Sequence, residues 1–268
     1  MRTVLAASGA ALLPLAFAAP AAASGSDDAQ VAVFHGVPGL TVDVYANGDV
    51  LLEDFEPGTI TDPVELPAGS YELEVFPAGA DAEAEDPAIS ATADVPAGAN
   101  ITVAAHLDEG GTPTLTPFVN DVSGLDAGDA RLTVRHTAAA PAVDVRAGGD
   151  PVIEGLTNPN EETLELPAGS VSADVVLAGT DTVAIGPADL DLAEGVSTIV
   201  YAWGSAEDEN LALAVQTIDG LESSPSGVPS GTGGLVSDAL PWQLALVGVL
   251  GAGTVLVLGG RAVRASRD

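Results

Sequence analysis

Six residues, Glu-Leu-Pro-Ala-Gly-Ser, occur at Glu65–Ser70 and again at Glu165–Ser170, one hundred residues apart. The identity spreads outward from them. Val42-Asp43-Val44 returns as Val143-Asp144-Val145, His35 as His136 and Asp49 as Asp150, each 101 residues on. Ala93–Gly98 aligns with Leu190–Gly195 at an offset of 97, so the copies differ by short loop insertions. A period near one hundred residues is too long for a solenoid and suits a tandem pair of separate domains.

Within each copy the hydrophobic pattern has a period of two. In Tyr71-Glu72-Leu73-Glu74-Val75 apolar residues alternate with carboxylates, and Val31, Val33 and His35 alternate with Ala32 and Phe34. Such alternation predicts antiparallel strands with one packed and one wet face. Turn signals recur along the first copy: Pro38-Gly39, Asn47-Gly48, Pro57-Gly58, then Pro-Ala-Gly at 67–69, 77–79 and 96–98. The expected fold class is all-β: two tandem immunoglobulin-like antiparallel β-sandwiches plus one C-terminal transmembrane helix. Leu66-Pro67-Ala68-Gly69 has the residues of a tight turn, so the repeated hexapeptide is expected to close a hairpin. Phe34 becomes Arg135 in the second copy, and Tyr45 becomes Arg146, which predicts half-exposed positions. Val33/Val134 and Val44/Val145 mark the core side.

The two ends carry different signals. Residues 1–23 have one early arginine, an apolar run and a small-residue cleavage site, the layout of a secretory signal peptide. Residues 240–260 contain no ionisable side chain, and as a helix they would cover about 30 Å, the thickness of a bilayer's hydrocarbon core. Trp242 stands at the outer edge, and Arg261, Arg264 and Arg267 follow in residues 261–268, expected on the cytoplasmic side. Residues 221–239 read as a disordered Gly/Ser/Pro linker. The expected layout is then a first sandwich over 24–125 and a second over 126–220, both outside the cell on a single-pass plasma-membrane anchor.

Charge narrows the partners. Residues 24–239 hold 38 carboxylates against Arg131, Arg135 and Arg146, a net charge of −35. The whole chain has no lysine and no cysteine. Nucleic acid is excluded as a partner, because no basic surface exists to displace its counterions. No disulfide braces the fold. Lysine Schiff-base chemistry is likewise excluded. The membrane, through residues 240–260, and an envelope polymer or protein ligand remain as partners.

The stretch from Val33 to Gly48, VFHGVPGLTVDVYANG, followed by LPAGSYELEV at Leu66–Val75, resembles domain-of-unknown-function family 4397. The second copy keeps His136, Pro141, the Val-Asp-Val core and the Leu-Pro-Ala-Gly turn but lacks both tyrosines. The resemblance covers residues 30 to about 220 and implies secreted or surface-anchored β-sandwich modules. It implies no known activity.

Few residues are candidates for chemistry. His35 with Asp43, and His136 with Asp144, form a duplicated pair eight residues apart, which a metal-binding sensor or metal-dependent hydrolase could use. The alternative is that each imidazole braces a loop. A catalytic zinc usually takes three protein ligands, and these pairs offer two ligand types without a third. Carboxylates cluster at Asp81–Asp86 and Glu207–Asn210, loops of the kind that supply oxygen ligands to calcium, yet EF-hand spacing is missing. No nucleophile elbow or phosphate loop is present. Asn100-Ile101-Thr102 is an N-glycosylation sequon. The expectation is a non-enzymatic surface protein without catalytic, cofactor or metal residues, serving a structural, adhesive or ligand-recognising role, or forming a passive acidic coat.

Overall fold

Alternation of this kind builds strands in both copies. The computed structural model describes residues 27–223, and among these there are sixteen strands and no helix. The first copy contributes β1 (Ala29–Gly36), β2 (Val42–Ala46), β3 (Asp49–Phe55), β4 (Val64–Leu66), β5 (Gly69–Pro77), β6 (Ile89–Val95), β7 (Asn100–Leu107) and β8 (Pro113–Val119). The second contributes β9 (Asp129–Ala139), β10 (Val143–Ala147), β11 (Asp150–Leu156), β12 (Glu161–Pro167), β13 (Gly169–Leu177), β14 (Val183–Leu192), β15 (Ser197–Ser205) and β16 (Ala212–Ile218). The expected signal peptide, transmembrane helix and basic tail, and the linker after 223, lie outside the described residues. Among the described residues no helix is long and apolar enough to cross a membrane.

Each copy is a pair of four-stranded sheets in the same order: β4-β1-β7-β8 over β3-β2-β5-β6, and β12-β9-β15-β16 over β11-β10-β13-β14. The sheets are not wholly antiparallel as expected. β1 runs parallel to β7, and β9 parallel to β15, at the centre of their sheets. Local hairpins force antiparallel pairing, but strands far apart in sequence are free of that constraint. Val33, Val44, Val134 and Val145 are buried between the sheets as their side of the alternation requires.

The repeated hexapeptide does not close a hairpin. β4 belongs to one sheet and β5 to the other, so Pro67 and Ala68 turn a corner between layers. The second copy does the same between β12 and β13. The hexapeptide's glutamate reaches across to the neighbouring strand in both: Gln30 donates to Glu65 at 3.1 Å, and Arg131 to Glu165 at 2.9 Å. In the first copy Tyr71 also donates back to the Pro67 carbonyl at 2.8 Å. The local turn chemistry was legible, but its partner strands were set by long-range pairing.

Sheet β4-β1-β7-β8 packs face to face against sheet β12-β9-β15-β16. In β1, β7, β9 and β15 nearly every residue is buried, on both faces of the strand. Phe34, Ala104 and Phe118 form one apolar cluster with Ile199, Tyr201 and Ala214. Phe34 and Arg135, expected to be half exposed, are 0% and 1% exposed, because the second module covers the face that a lone sandwich would leave wet. Both modules fall within one compact unit. Residues 221–223 also belong to the fold: Leu221 is buried, and Leu125 in the connection between modules exchanges backbone bonds with Leu221 and Ser223.

Candidate functional site

The duplicated His/Asp pairs do not converge. His35 donates from Nε2 to the Leu40 carbonyl at 2.7 Å, and His136 from Nε2 to the Pro141 carbonyl at 3.0 Å. Each imidazole thus ties its strand end to the loop that follows. The aspartates hold two other loops. Asp43 accepts from the amides of Asp54 and Gly79 at 2.8 and 3.0 Å; Asp144 accepts from Gly155 and Gly179 at 2.7 and 2.8 Å. Asp54 and Gly155 are counterparts, both at positive φ, 52° and 67°, where β3 and β11 bulge. The Val-Asp-Val motif is therefore a brace for that bulge. Two backbone amides, Gly179 foremost, keep the Asp144 carboxyl below the usual carboxylate range. Neither imidazole takes its paired aspartate as a hydrogen-bond partner: His35 and His136 bond to loop carbonyls, Asp43 and Asp144 to loop amides. Among the described residues no group of three or more acidic or histidine side chains is placed to hold a metal ion.

The third histidine lies in the contact between modules. His106 is fully buried; its Nδ1 donates to the Leu107 carbonyl at 2.8 Å, so Nε2 accepts from the Thr116 hydroxyl at 2.8 Å. A carbonyl can only accept, so these bonds assign one neutral tautomer to each ring. Burial pushes all three imidazoles below their ordinary pKa, and the carbonyl contacts offset this in part.

The arginines are engaged as well. Arg135 donates from Nε to Glu161 at 2.6 Å, from one terminal nitrogen to the Tyr201 hydroxyl at 2.6 Å, and from the other to Asn120 Oδ1 at 2.8 Å. Its guanidinium carbon lies 4.4 Å from the Phe118 ring centroid. Asn120 and Phe118 belong to the first module's end of the contact, so this one cation bridges the two. Burial raises the Tyr201 phenol pKa, with Arg135 pulling it back. Arg131 binds the connection between modules, donating to the carbonyls of Asp121 and Ser123 at 2.9 and 3.1 Å and to the Ser123 hydroxyl at 2.9 Å. Arg146 makes a two-pronged pair with Asp174 at 2.9 and 2.6 Å on the outer sheet.

The acidic loops are bonded to themselves. Asp81 accepts from the Glu83 amide at 3.1 Å, and Glu85 accepts from the Asp81 amide at 3.3 Å. In the other loop Asn210 accepts from the Ser205 amide at 2.7 Å. The sequon is placed awkwardly for modification: Thr102 is fully buried and donates to Gln216 at 3.0 Å, while Asn100 Oδ1 accepts from Asn120 at 2.6 Å. Asn158 was not singled out by the sequence, yet its amide bridges the Leu107 carbonyl of one module and the Ala138 carbonyl of the other, at 2.8 and 2.6 Å.

Docking also creates a cleft of about 420 Å³ at one edge of the contact. One wall is Ile60–Pro63, the segment entering β4; the other is Val215–Asp219 of β16 and its end; Asn100 adds to the first wall. The family model described as "Domain of unknown function (DUF4397)" matches residues 29–146. That span takes in the whole first module, then β9 and most of β10, so it includes Arg131, Arg135, His136 and Asp144. No curated protein matches the chain.

Proposed function

We propose that the protein is a non-enzymatic surface module: two immunoglobulin-like sandwiches docked as one acidic body, exported by a signal peptide over residues 1–23. A transmembrane helix over 240–260 and a basic cytoplasmic tail would anchor it in the plasma membrane. Its role is recognition or adhesion, toward a cationic or neutral envelope polymer or a protein. One observation carries this reading. Every histidine and arginine among the described residues braces a loop, the module contact or a cross-strand pair, so the residue types that usually do chemistry here maintain shape. What faces solvent is a carboxylate-rich surface on a compact two-module body, which suits display and selective encounter with positive partners.

Cell fractionation with a protease added from outside tests it. The expected result is recovery in the membrane fraction, with both modules accessible to the external protease. Recovery as a soluble protein of the cell interior overturns the reading.

A further inference from the structure

The cleft between the modules has one unusual wall. β16 ends its sheet, so the outer edge of its backbone has no neighbouring strand among the described residues. Residues of both faces of β16, Val215 and Thr217 as well as Gln216 and Ile218, line the cleft. A cleft that touches both faces of one strand runs along the edge of that strand, where unpaired amides and carbonyls lie. The four strand residues there, Val215 to Ile218, span about 13 Å at strand rise, enough for an extended segment of similar length.

The side chains state which segment. Asp62 stands on one wall and Asp219 on the other, both exposed, and no arginine lines the cleft. The three arginines of the described residues are held elsewhere. Ile60, Pro63 and Val215 line the same cleft, the last 50% exposed. Gln216 faces inward, its carbonyl oxygen accepting from Thr102 and Tyr201 at 3.0 and 2.8 Å, which fixes this part of β16 against the first module. A bare strand edge asks for a backbone, two opposed carboxylates ask for positive charge, and the apolar patch asks for aliphatic side chains.

We infer that this cleft is a peptide-binding site that takes an extended segment of alternating basic and aliphatic residues as an added strand beside β16. The site exists because the modules dock, since each contributes a wall. The inference specifies the partner class of the display reading and rests on it for where such a peptide would be met.

The test uses the full chain in a mild detergent and a synthetic peptide of alternating lysine and valine. The expected result has two parts. Asp62→Asn with Asp219→Asn weakens binding about tenfold, and the peptide slows hydrogen exchange in residues 215–219. A second pair, Asp81→Asn with Glu85→Gln in the remote acidic loop, leaves affinity unchanged. Equal weakening by the remote pair would mean general attraction to an acidic surface and overturns the site. So does binding without protection of 215–219, equal affinity for a free polyamine, or no binding. Fractionation decides the display reading separately: a membrane-bound chain whose cleft takes no peptide fails this inference alone.

Discussion

Arg135 shows how far a side chain's role can depart from its local pattern. It occupies the position of Phe34, on the same face of an equivalent strand, and both end up inside. Replacing it with Met would leave Glu161, Asn120 and the Tyr201 hydroxyl without their donor. Breaking a buried ion pair on one side costs about 3–5 kcal/mol, and Glu161 is a third exposed, which places R135M near 3 kcal/mol. Urea unfolding would measure it, with R146M on the outer sheet shifting the midpoint much less. The histidines give a pH prediction. Their folded pKa values lie below the unfolded value, so the native state holds fewer protons once pH falls below about 6.5. Stability from this source is complete above that pH and declines as pH falls toward each folded pKa, by at most about 1.4 kcal/mol per histidine per pH unit. Unfolding midpoints at pH 7.5 and 5.5 should differ, and His106→Gln should reduce the difference.

At the scale of elements, hairpins were legible and corners were not. Asn47-Gly48 joins β2 to β3 with φ of 54° and 84°, and Gly148-Gly149 joins β10 to β11 with 61° and 95°, as two-residue turns between twisted strands require. The Leu-Pro-Ala-Gly corner has equally plain turn residues, but nothing local states that its two strands belong to different sheets. Gly58 separates backbone demand from packing. Its φ is +80°, and a Cβ there would stand 2.8 Å from the Trp203 ring of the other module. Gly39, at φ +76°, has open space around it. Gly39→Ala should cost about 1–2 kcal/mol from backbone strain alone. Gly58→Ala should cost clearly more, since Trp203 must also move. Thermal midpoints of the two variants check the comparison.

Across the whole molecule, the shared contact should make the modules unfold together. Trp203 lies in that contact, so its fluorescence, read in a Trp242→Phe background, should change in the same transition as far-UV circular dichroism. Two separated transitions would mean the modules open before either melts. The charge gives a second expectation at this scale. Molar NaCl should raise the midpoint by screening self-repulsion, and millimolar calcium should add nothing beyond matched ionic strength. A calcium-specific rise of several degrees would assign a site to the acidic loops.

Strand content, the two copies, the core-facing valines and the hairpin turns could be read from the chain alone. Each rests on period, on turn residues or on internal repetition, and those are local or self-referential signals. The docking of the modules, the corner role of the hexapeptide and the parallel central pairs could not. They depend on which surfaces meet across a hundred residues, and a period-two pattern states that a face is apolar without stating what covers it. A trace was present: Ala32 and Phe34 on the second face of β1, and Tyr201 and Trp203 on that of β15, are apolar where a solvated sheet would be polar. What covers that face is the other copy, and its identity follows from shape and charge meeting in three dimensions. Phe34 packs on Tyr201 at 4.5 Å between ring centroids, while at the equivalent position Arg135 finds its partners in Asn120, Tyr201 and Glu161.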